Sequence, residues 1–208
     1  MRLSDHDEWA RAHHGLLTLD AAGVSRRAWR QAVRSGALVS VHRDVARLPG
    51  APTTFVQRIA AAVLAGGDGT VCSHHSAAYL WELVDAPSPV VHVIVPAGKG
   101  RLPLDNVGTH RPRDRRDLAP VERSGVACTP ITRTLCDLGA SDPDLVEHAV
   151  RRAVRLGLVE LDTLRRVADA HSVQGRTGIP ALRRAIDAAE RRLQTLKRNS
   201  ITSPSWAT

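Results

Sequence analysis

Aromatic residues, lysine and cysteine are all scarce in this chain of 208 residues. Phe, Trp and Tyr together make up 3% of it, so a core has to be built mainly from Ala, Leu and Val. Hydrophobic residues still reach 43%, a usage typical of globular proteins that argues against global disorder. Lysine occurs only at Lys99 and Lys197, so arginine carries nearly all of the net charge of +8. Arginine binds phosphate and guanine through paired N–H donors, which favours a polyanionic partner.

Three further features bear on the compartment in which the chain works. Its three cysteines, Cys72, Cys128 and Cys136, are too few and too widely spaced for a disulfide framework. No apolar run approaches the roughly 20 residues that cross a bilayer. Residues 1–14 lack the apolar stretch of a secretory signal. The sequence therefore predicts a reduced, cytoplasmic protein that does not enter the membrane.

Helix-capping and turn signals predict a winged helix-turn-helix over residues 1–50. Thr18 and Ser25 are candidate N-caps of two short helices, and glycines follow both helices. Two apolar runs between residues 38 and 49 flank the polar pair Arg43-Asp44, which indicates a β-hairpin. Three helices followed by a hairpin is the element order of a winged helix. The predicted helices are 5–13, 19–22 and 26–35.

After a Pro/Gly-rich linker, residues 54–198 predict a mixed α/β domain that ends in a helical segment. Thr129 is the expected N-cap of one helix, with Pro130 at its first position, and Ser73 is the expected cap of another. The tail 199–208 is rich in Ser and Thr and is expected to be disordered. The predicted fold class is therefore α/β (α+β). Predicted helices are 54–65, 74–81, 130–138, 143–156, 161–170 and 178–198, and predicted strands are 71–73, 90–96, 107–112 and a segment near 118–128.

The third helix of the predicted winged helix separates charged from apolar residues. At 100° per residue its four arginines and Gln31 share one arc, and its apolar residues occupy the other. A helix-turn-helix needs this division, because one face packs on the preceding helices and the other lies in the major groove. The charged arc holds Arg26, Arg27, Arg30, Gln31 and Arg34, and the apolar arc holds Ala28, Trp29, Ala32 and Val33.

These residues and the hairpin form the predicted DNA-binding set. Residues 24–48 contain six arginines and one acidic residue. If about six phosphates are neutralised, log K falls with log salt at a slope near −5. The competing interpretation is an ordinary solvated face of an amphipathic helix. The complete set of predicted contacts is Thr18, Ser25, Arg26, Arg27, Arg30, Gln31, Arg34, His42, Arg43 and Arg47.

Other motifs favour no enzyme chemistry. The run Ser73-His74-His75-Ser76 invites a catalytic or metal interpretation, but His92, His110 and the cysteines show no zinc-ligand spacing. Gly98-Lys99-Gly100 lacks the spacing of a phosphate-binding loop. Arg133 and Asp137, four residues apart, predict a helix salt bridge worth a few tenths of a kcal/mol. We therefore expect no catalytic residue, no metal and no cofactor.

Of the twelve basic residues in the helical region 150–198, eleven lie in its predicted helices, and the sequence alone cannot assign their role. Either they form a solvated helical surface, or they provide a second contact for nucleic acid or for an acidic partner. They are Arg151, Arg152, Arg155, Arg165, Arg166, Arg183, Arg184, Arg191, Arg192, Lys197 and Arg198.

Four stretches of the chain carry motifs of a known family. They are GLLTLDAAGVSRRAWRQAVRSGALVSVHRDVARLPG (15–50), VCSHHSAAYLWEL (71–83), VVHVIVP (90–96) with THRPRD (109–114), and GVACTPITRTLCDL (125–138). Together they span most of residues 15–190, and in this order the chain resembles the AbiEi-type antitoxin family, particularly its actinobacterial branch. Two features depart from that family. Relatives often have Gly in place of Asp44, and many continue into an endonuclease-like domain, whereas no acidic metal-binding cluster follows residue 190 here.

The resemblance implies a DNA-binding transcriptional regulator, or antitoxin, of a two-gene toxin–antitoxin system. Its winged helix is expected to bind operator DNA, and its larger domain is expected to counter a toxin that resembles a nucleotidyltransferase. Two alternatives stay open at this point. One is a protein-interaction module in which neutralising the toxin is the main role, and the other is a non-catalytic remnant of an endonuclease-domain protein.

Overall fold

The chain folds into a mixture of helices and two β-sheets. The computed structural model describes residues 3–96, 104–113, 116–172 and 177–201. Within these ranges, no helix combines the length and the apolar composition needed to cross a membrane. The mixed α/β class predicted from the sequence is confirmed.

Nine helices lie within the described ranges, and most begin within a residue or two of the positions that the sequence predicts. Thr18 and Ser25 are the N-caps of the second and third helices, as expected, since their hydroxyls accept hydrogen bonds from Ala21 N and Ala28 N. The helices are α1 (Leu3–Ala12), α2 (Leu19–Ala22), α3 (Arg26–Arg34), α4 (Phe55–Gly66), α5 (His74–Leu80), α6 (Ile131–Ser141), α7 (Pro143–Arg155), α8 (Leu161–Ala170) and α9 (Gly178–Ile201).

Eight strands in the same ranges form one sheet of three strands and one of five. The three-stranded sheet is antiparallel, with strand order β1-β3-β2. The five-stranded sheet has the order β6-β5-β4-β8-β7, in which the β4–β8 and β5–β6 pairs are parallel. The strands are β1 (Leu16–Thr18), β2 (Val39–His42), β3 (Val45–Arg47), β4 (Val71–Cys72), β5 (Val91–Ile94), β6 (Val107–His110), β7 (Val121–Arg123) and β8 (Val126–Cys128).

Strand β1 was not predicted from the sequence. It has only three residues, too few to show an alternating pattern, and it exists because it pairs with β3. Leu16 and Leu17 in this strand are buried. β1 is therefore the third strand of the sheet, next to β3 of the hairpin, and it connects that hairpin to α1 and α2.

Helix α4 connects the two sheets through a shared apolar cluster. Phe55 and Ile59 of α4 pack in one cluster with Leu16 of β1 and Val45 of β3. That cluster also includes buried residues of the five-stranded sheet. The Gln57 amide donates a 2.7 Å hydrogen bond to the carbonyl of His14. The N-terminal sheet is thus packed directly on α4.

The predicted caps of two helices differ from the structure. Ser73 occupies the N-cap position of α5, but its hydroxyl bonds Nδ1 of His74 at 2.9 Å and caps no backbone N–H. Helix α6 begins at Ile131 with Pro130 at the N-cap position, so the predicted order is shifted by one residue. The hydroxyl of Thr129 is buried and bonds that of Thr134 at 2.7 Å. In both places the hydroxyl was predicted to accept a hydrogen bond from a backbone N–H, but it bonds a nearby side chain instead.

The last four helices enclose a second apolar cluster around α6. A buried ion pair lies on α6, where Arg133 Nε donates to both carboxylate oxygens of Asp137 at 2.9 Å. The predicted salt bridge is confirmed, but its burial was not predicted: the two side chains are 1% and 8% exposed. Of the predicted tail, residues 199–201 lie in α9, and residues 202–208 lie outside the described ranges.

Candidate functional site

Helix α3 presents its charged side chains on the protein surface. Arg26, Arg27, Arg30, Gln31 and Arg34 are all exposed, as the helical wheel predicts. On the opposite side Trp29 is 7% exposed and packs with buried residues of α1, β1, α2 and β3. Ala28 differs from the prediction, since it is exposed rather than packed. The Trp29 indole thus anchors the helix and leaves its arginines directed at solvent.

The two N-cap hydroxyls lie beside this charged surface. Ser25 begins α3 and is exposed, and Thr18 begins α2. Each oxygen accepts a hydrogen bond from the backbone N–H of the third residue of its helix, at 3.2 Å for Ser25 and 3.0 Å for Thr18. A hydroxyl that accepts in this way still has its own O–H to donate. Both therefore keep a proton available for an anionic group outside the protein.

The hairpin turn brings an acidic residue against α3. Asp44 has a left-handed backbone (φ 59°), which the turn between β2 and β3 requires. Arg26 Nη1 donates to both Asp44 carboxylate oxygens, at 2.9 and 3.1 Å. The Asp44 carbonyl also accepts from Leu19 N at 2.9 Å. Asp44 therefore ties the hairpin to α2 and α3 and offsets the charge of Arg26.

Two other members of the predicted set are also engaged within the protein. Arg47 Nη1 donates to the carbonyls of Leu48, Pro49 and Ala51, at 3.2 to 3.4 Å. Its guanidinium thus holds the chain that leaves β3. His42 is half-buried, and burial lowers the pKa of its imidazole despite the opposing effect of Asp105. His42 is therefore a neutral group, not a cation, at neutral pH.

A smaller set of side chains remains directed at solvent. Arg27, Gln31 and Arg34 make no polar side-chain contact with any described residue. Arg30 Nε donates at 3.2 Å to the Arg26 carbonyl within its own helix. At the hairpin tip the Arg43 side chain is 86% exposed, and its Nε lies 3.9 Å from the nearest Asp44 oxygen. We refer to Arg27, Arg30, Gln31, Arg34 and Arg43 as the arginine face.

A histidine cluster that the sequence did not predict lies in the second sheet region. The rings of His74 and His110 stack with centroids 3.8 Å apart, and His92 Nδ1 lies 3.0 Å from His110 Nε2. These residues lie on α5, β5 and β6, so they meet only because β5 pairs with β6 and the start of α5 packs beside them. Burial lowers the pKa of His92 to about 4, helped by the neighbouring histidines, and it lowers the pKa of His110. The His92–His110 contact is therefore a hydrogen bond between neutral rings.

The chemistry available around this cluster is limited. Among the described residues, no group of three or more His, Cys, Asp or Glu side chains is placed to hold a metal ion. Cys72 and Cys128 face each other across the β4–β8 pair as free thiols. Burial raises the pKa of Cys128 to about 11 and that of Cys72 well above its ordinary value. Both thiols therefore stay protonated at neutral pH. The run Gly98-Lys99-Gly100, which the sequence did not predict to be a phosphate-binding loop, lies outside the described residues.

The basic C-terminal region is partly neutralised by acidic neighbours. Arg165 contacts Asp187 and Glu190 at 2.9 and 2.8 Å, and these carboxylates raise the pKa of its guanidinium. Arg183 pairs with Asp169 at 2.7 Å. Further pairs are Arg152 with Asp85 at 2.6 Å and Arg151 with Glu147 at 3.7 Å. Several of these arginines are therefore paired with carboxylates of the protein itself. Arg155 on α7 and Arg192 on α9 make no such pair with a described residue.

Among models of known protein families, none matches this chain. A search of curated proteins likewise finds no match. The function is therefore inferred from the residues of the chain itself.

Proposed function

We propose that the N-terminal region is a winged helix that binds duplex DNA, with α3 as its recognition helix. The observation that carries this proposal is the arginine face. Four arginines and a glutamine project from α3 and the hairpin tip, while Trp29 fixes the opposite side of α3 in the apolar cluster. A helix held in this way can enter the major groove without losing its packing.

The arrangement of elements supports the winged-helix assignment. Residues 3–47 run helix, strand, helix, helix, strand, strand, and the three strands form one antiparallel sheet. The short break between Gly23 and Arg26 joins α2 to α3, as in a helix-turn-helix. The β2–β3 hairpin then lies next to the start of α3 through the Arg26–Asp44 contact. In this scheme Arg43 is the tip of the wing.

The side chains on this surface match the chemistry of duplex DNA. Arginine donates bidentately to guanine O6 and N7, and glutamine pairs in the same way with adenine. Arg30, Gln31 and Arg34 take the base-reading positions in this proposal. Ser25 and Thr18 donate to backbone phosphates, and Arg43 contacts a phosphate beside the groove. Arg26, His42 and Arg47 contribute little, because internal contacts or burial already occupy them.

The regulatory role follows from the family resemblance of the sequence. We propose that the protein is an antitoxin-like transcriptional regulator that binds operator DNA upstream of its own coding sequence. The implied second partner is a nucleotidyltransferase-like toxin encoded beside it. A neighbouring reading frame of that type would favour the antitoxin role, and its absence would leave a DNA-binding regulator.

The salt dependence of DNA binding tests the proposal directly. Of the predicted DNA-binding residues, Arg27, Arg30, Arg34 and Arg43 are the cations left directed at solvent, and whether each meets a phosphate or a base edge, together they displace about four counterions from the duplex. We expect log K to fall with log salt at a slope of about −4, shallower than the sequence alone predicts. Fluorescence anisotropy with duplex from the chain's own upstream region, between about 50 and 200 mM salt, measures this slope. A slope near zero would contradict the proposal, because no phosphate would then be contacted.

Replacing Asp44 by Asn should strengthen DNA binding. The change removes the carboxylate that offsets Arg26, and asparagine tolerates the left-handed backbone at this turn. We expect affinity to rise about fivefold, close to 1 kcal/mol, and the salt slope to steepen by about 1. The same anisotropy titration measures both quantities.

Asp20→Asn is the matched control for Asp44→Asn. Asp20 is exposed on α2, and its carboxylate contacts no arginine among the described residues. Asp20→Asn removes one negative charge, as Asp44→Asn does, so a general electrostatic effect on DNA binding would appear equally in both variants. Equal gains in affinity would show that the Arg26–Asp44 pair has no specific effect on DNA binding.

A further inference from the structure

An open groove of about 630 Å3 runs between α7 and α9, on elements separate from the arginine face. Its apolar lining residues are Val154, Ala189, Leu193 and Leu196. Four arginines and one histidine also line it. They are Arg151, Arg152, Arg155, Arg192 and His148. Among the described residues, no acidic one lines the groove.

The apolar stripe of α9 continues past the edge of the protein core. Leu182 and Ile186 in this stripe are fully buried against α6 and α7. About two and three turns beyond Ile186, Leu193 and Leu196 are 40% and 57% exposed. Within the described ranges only four large hydrophobic residues are exposed, and two of them, Leu193 and Leu196, line this groove. Exposed apolar side chains that cluster in this way mark a contact surface.

The arginines around the groove are poorly matched by the protein's own carboxylates. Arg155 and Arg192 are exposed, and their guanidinium groups make no contact with a carboxylate among the described residues. Arg152 pairs with Asp85 through Nη1, but its Nε is buried without a hydrogen-bond partner. Carboxylates of a partner could therefore pair with the exposed guanidinium groups of Arg155 and Arg192.

We propose that this groove binds an acidic amphipathic helix of a partner protein. The apolar stripe of such a helix would cover Leu193 and Leu196, and its flanking carboxylates would meet Arg152, Arg155 and Arg192. This is the helix-in-groove mode of recognition, with charge complementarity that sets orientation. A partner segment of about 15 residues, or four turns, would span the groove.

Other occupants fit the groove less well. A second copy docked groove to groove would bring two sets of arginines together, because a two-fold contact pairs each surface with itself. Duplex DNA would use the arginines but leave the exposed leucines without an apolar contact. The chain's own residues 202–208 contain no carboxylate side chain to meet the arginines.

The test uses the full-length chain and a fluorescein-labelled designed peptide of roughly 18 residues, long enough for five helical turns. The probe has leucines at i, i+3, i+4 and i+7 with glutamates beside them, and the comparison peptide has lysine in place of every glutamate. We expect the acidic peptide to bind with a micromolar dissociation constant, and the lysine peptide at least about tenfold more weakly. Hydrogen exchange should show protection in α7 and α9 when the acidic peptide is bound.

Paired variants locate the binding surface. Arg155→Glu/Arg192→Glu should weaken acidic-peptide binding about tenfold or more, because each change replaces an attraction by a repulsion. Arg184→Glu/Arg191→Glu changes the net charge equally at exposed α9 positions outside the groove and should weaken peptide binding less than about threefold.

Leu196→Ser should weaken peptide binding about fivefold without unfolding the protein, since Leu196 is already largely exposed. Arg30→Ala/Arg34→Ala should bind the peptide normally, which separates this proposal from DNA binding.

Three results would overturn the proposal. One is equal binding of the acidic and lysine peptides. Another is displacement of the acidic peptide from the groove by self-association, seen as a Leu196-dependent dimer in analytical ultracentrifugation. The third is loss of duplex-DNA binding in Arg155→Glu/Arg192→Glu that exceeds its loss of peptide binding, which would make the groove a nucleic-acid surface.

Discussion

Arg30→Ala/Arg34→Ala should weaken binding to operator DNA by about 100-fold or more. Both side chains are exposed on α3, at the positions assigned to base edges. A bidentate arginine–guanine contact is worth about 1–3 kcal/mol, and the two losses add if each residue reads its own base. Discrimination between operator and unrelated duplex should fall with affinity, because base contacts provide the specificity. Anisotropy titrations with both duplexes at one salt concentration measure this.

The matched control for this variant is Arg166→Ala/Arg184→Ala. These two arginines are exposed on α8 and α9, and their removal changes the net charge by the same amount. We expect less than about a threefold loss, because charges beyond a Debye length of the DNA are screened. If both double variants lost affinity equally, the nucleic-acid surface would lie elsewhere. If neither lost affinity, α3 would be a solvated helix face with no recognition role.

Asp137→Asn should lower the free energy of unfolding by about 3 kcal/mol or more. The change removes the buried carboxylate that Arg133 Nε contacts, and removing one partner of a buried ion pair typically costs about 3–5 kcal/mol. Arg133 Nη1 also donates to the Arg116 carbonyl at 2.7 Å, so the cation cannot turn to solvent without breaking that contact. Urea unfolding followed by circular dichroism measures the loss, and the melting temperature should fall by roughly 10 °C.

Glu147→Gln supplies the comparison for an exposed pair of the same spacing. Glu147 lies four residues before Arg151, and the 3.7 Å contact joins side chains that are 52% and 39% exposed. Removing that charge should change stability by less than about 1 kcal/mol. Arg133→Leu/Asp137→Leu should cost less than Asp137→Asn, since it leaves no unpaired charge in the interior. An Asp137→Asn loss as small as that of Glu147→Gln would contradict a structural role for the buried pair.

Helix α3 shows why much of the candidate site was accessible from the sequence. The Ser25 cap, the spacing of Trp29 and Val33, and the glycine after Ser35 all act within a dozen residues. Local hydrogen bonds and helical periodicity decide such a segment, so its bounds and its exposed arc were predicted closely. The use of this surface for DNA remains a proposal.

The parts of the site that the sequence missed depend on residues far apart in the chain. The Arg26–Asp44 contact spans 18 positions and needs the hairpin to fold back against α3. The histidine cluster needs the β5–β6 pair and the start of α5 to meet. Neither arrangement leaves a pattern in the local sequence, because both depend on how strands pair and how helices pack against them.

The sequence alone determined the helical segments, the hairpin and the one-sided charge of α3, since each depends on neighbours within one or two turns. The i, i+4 spacing likewise predicted the salt bridge between Arg133 and Asp137. Only the tertiary structure decided which charged side chains can contact a partner. Arg26 and Arg47 make internal contacts and Arg133 is buried, whereas Arg155 and Arg192 lie beside exposed leucines. The physical reason is that a side chain's solvation and partners depend on every element packed around it, whereas its place on a helix depends only on its own segment.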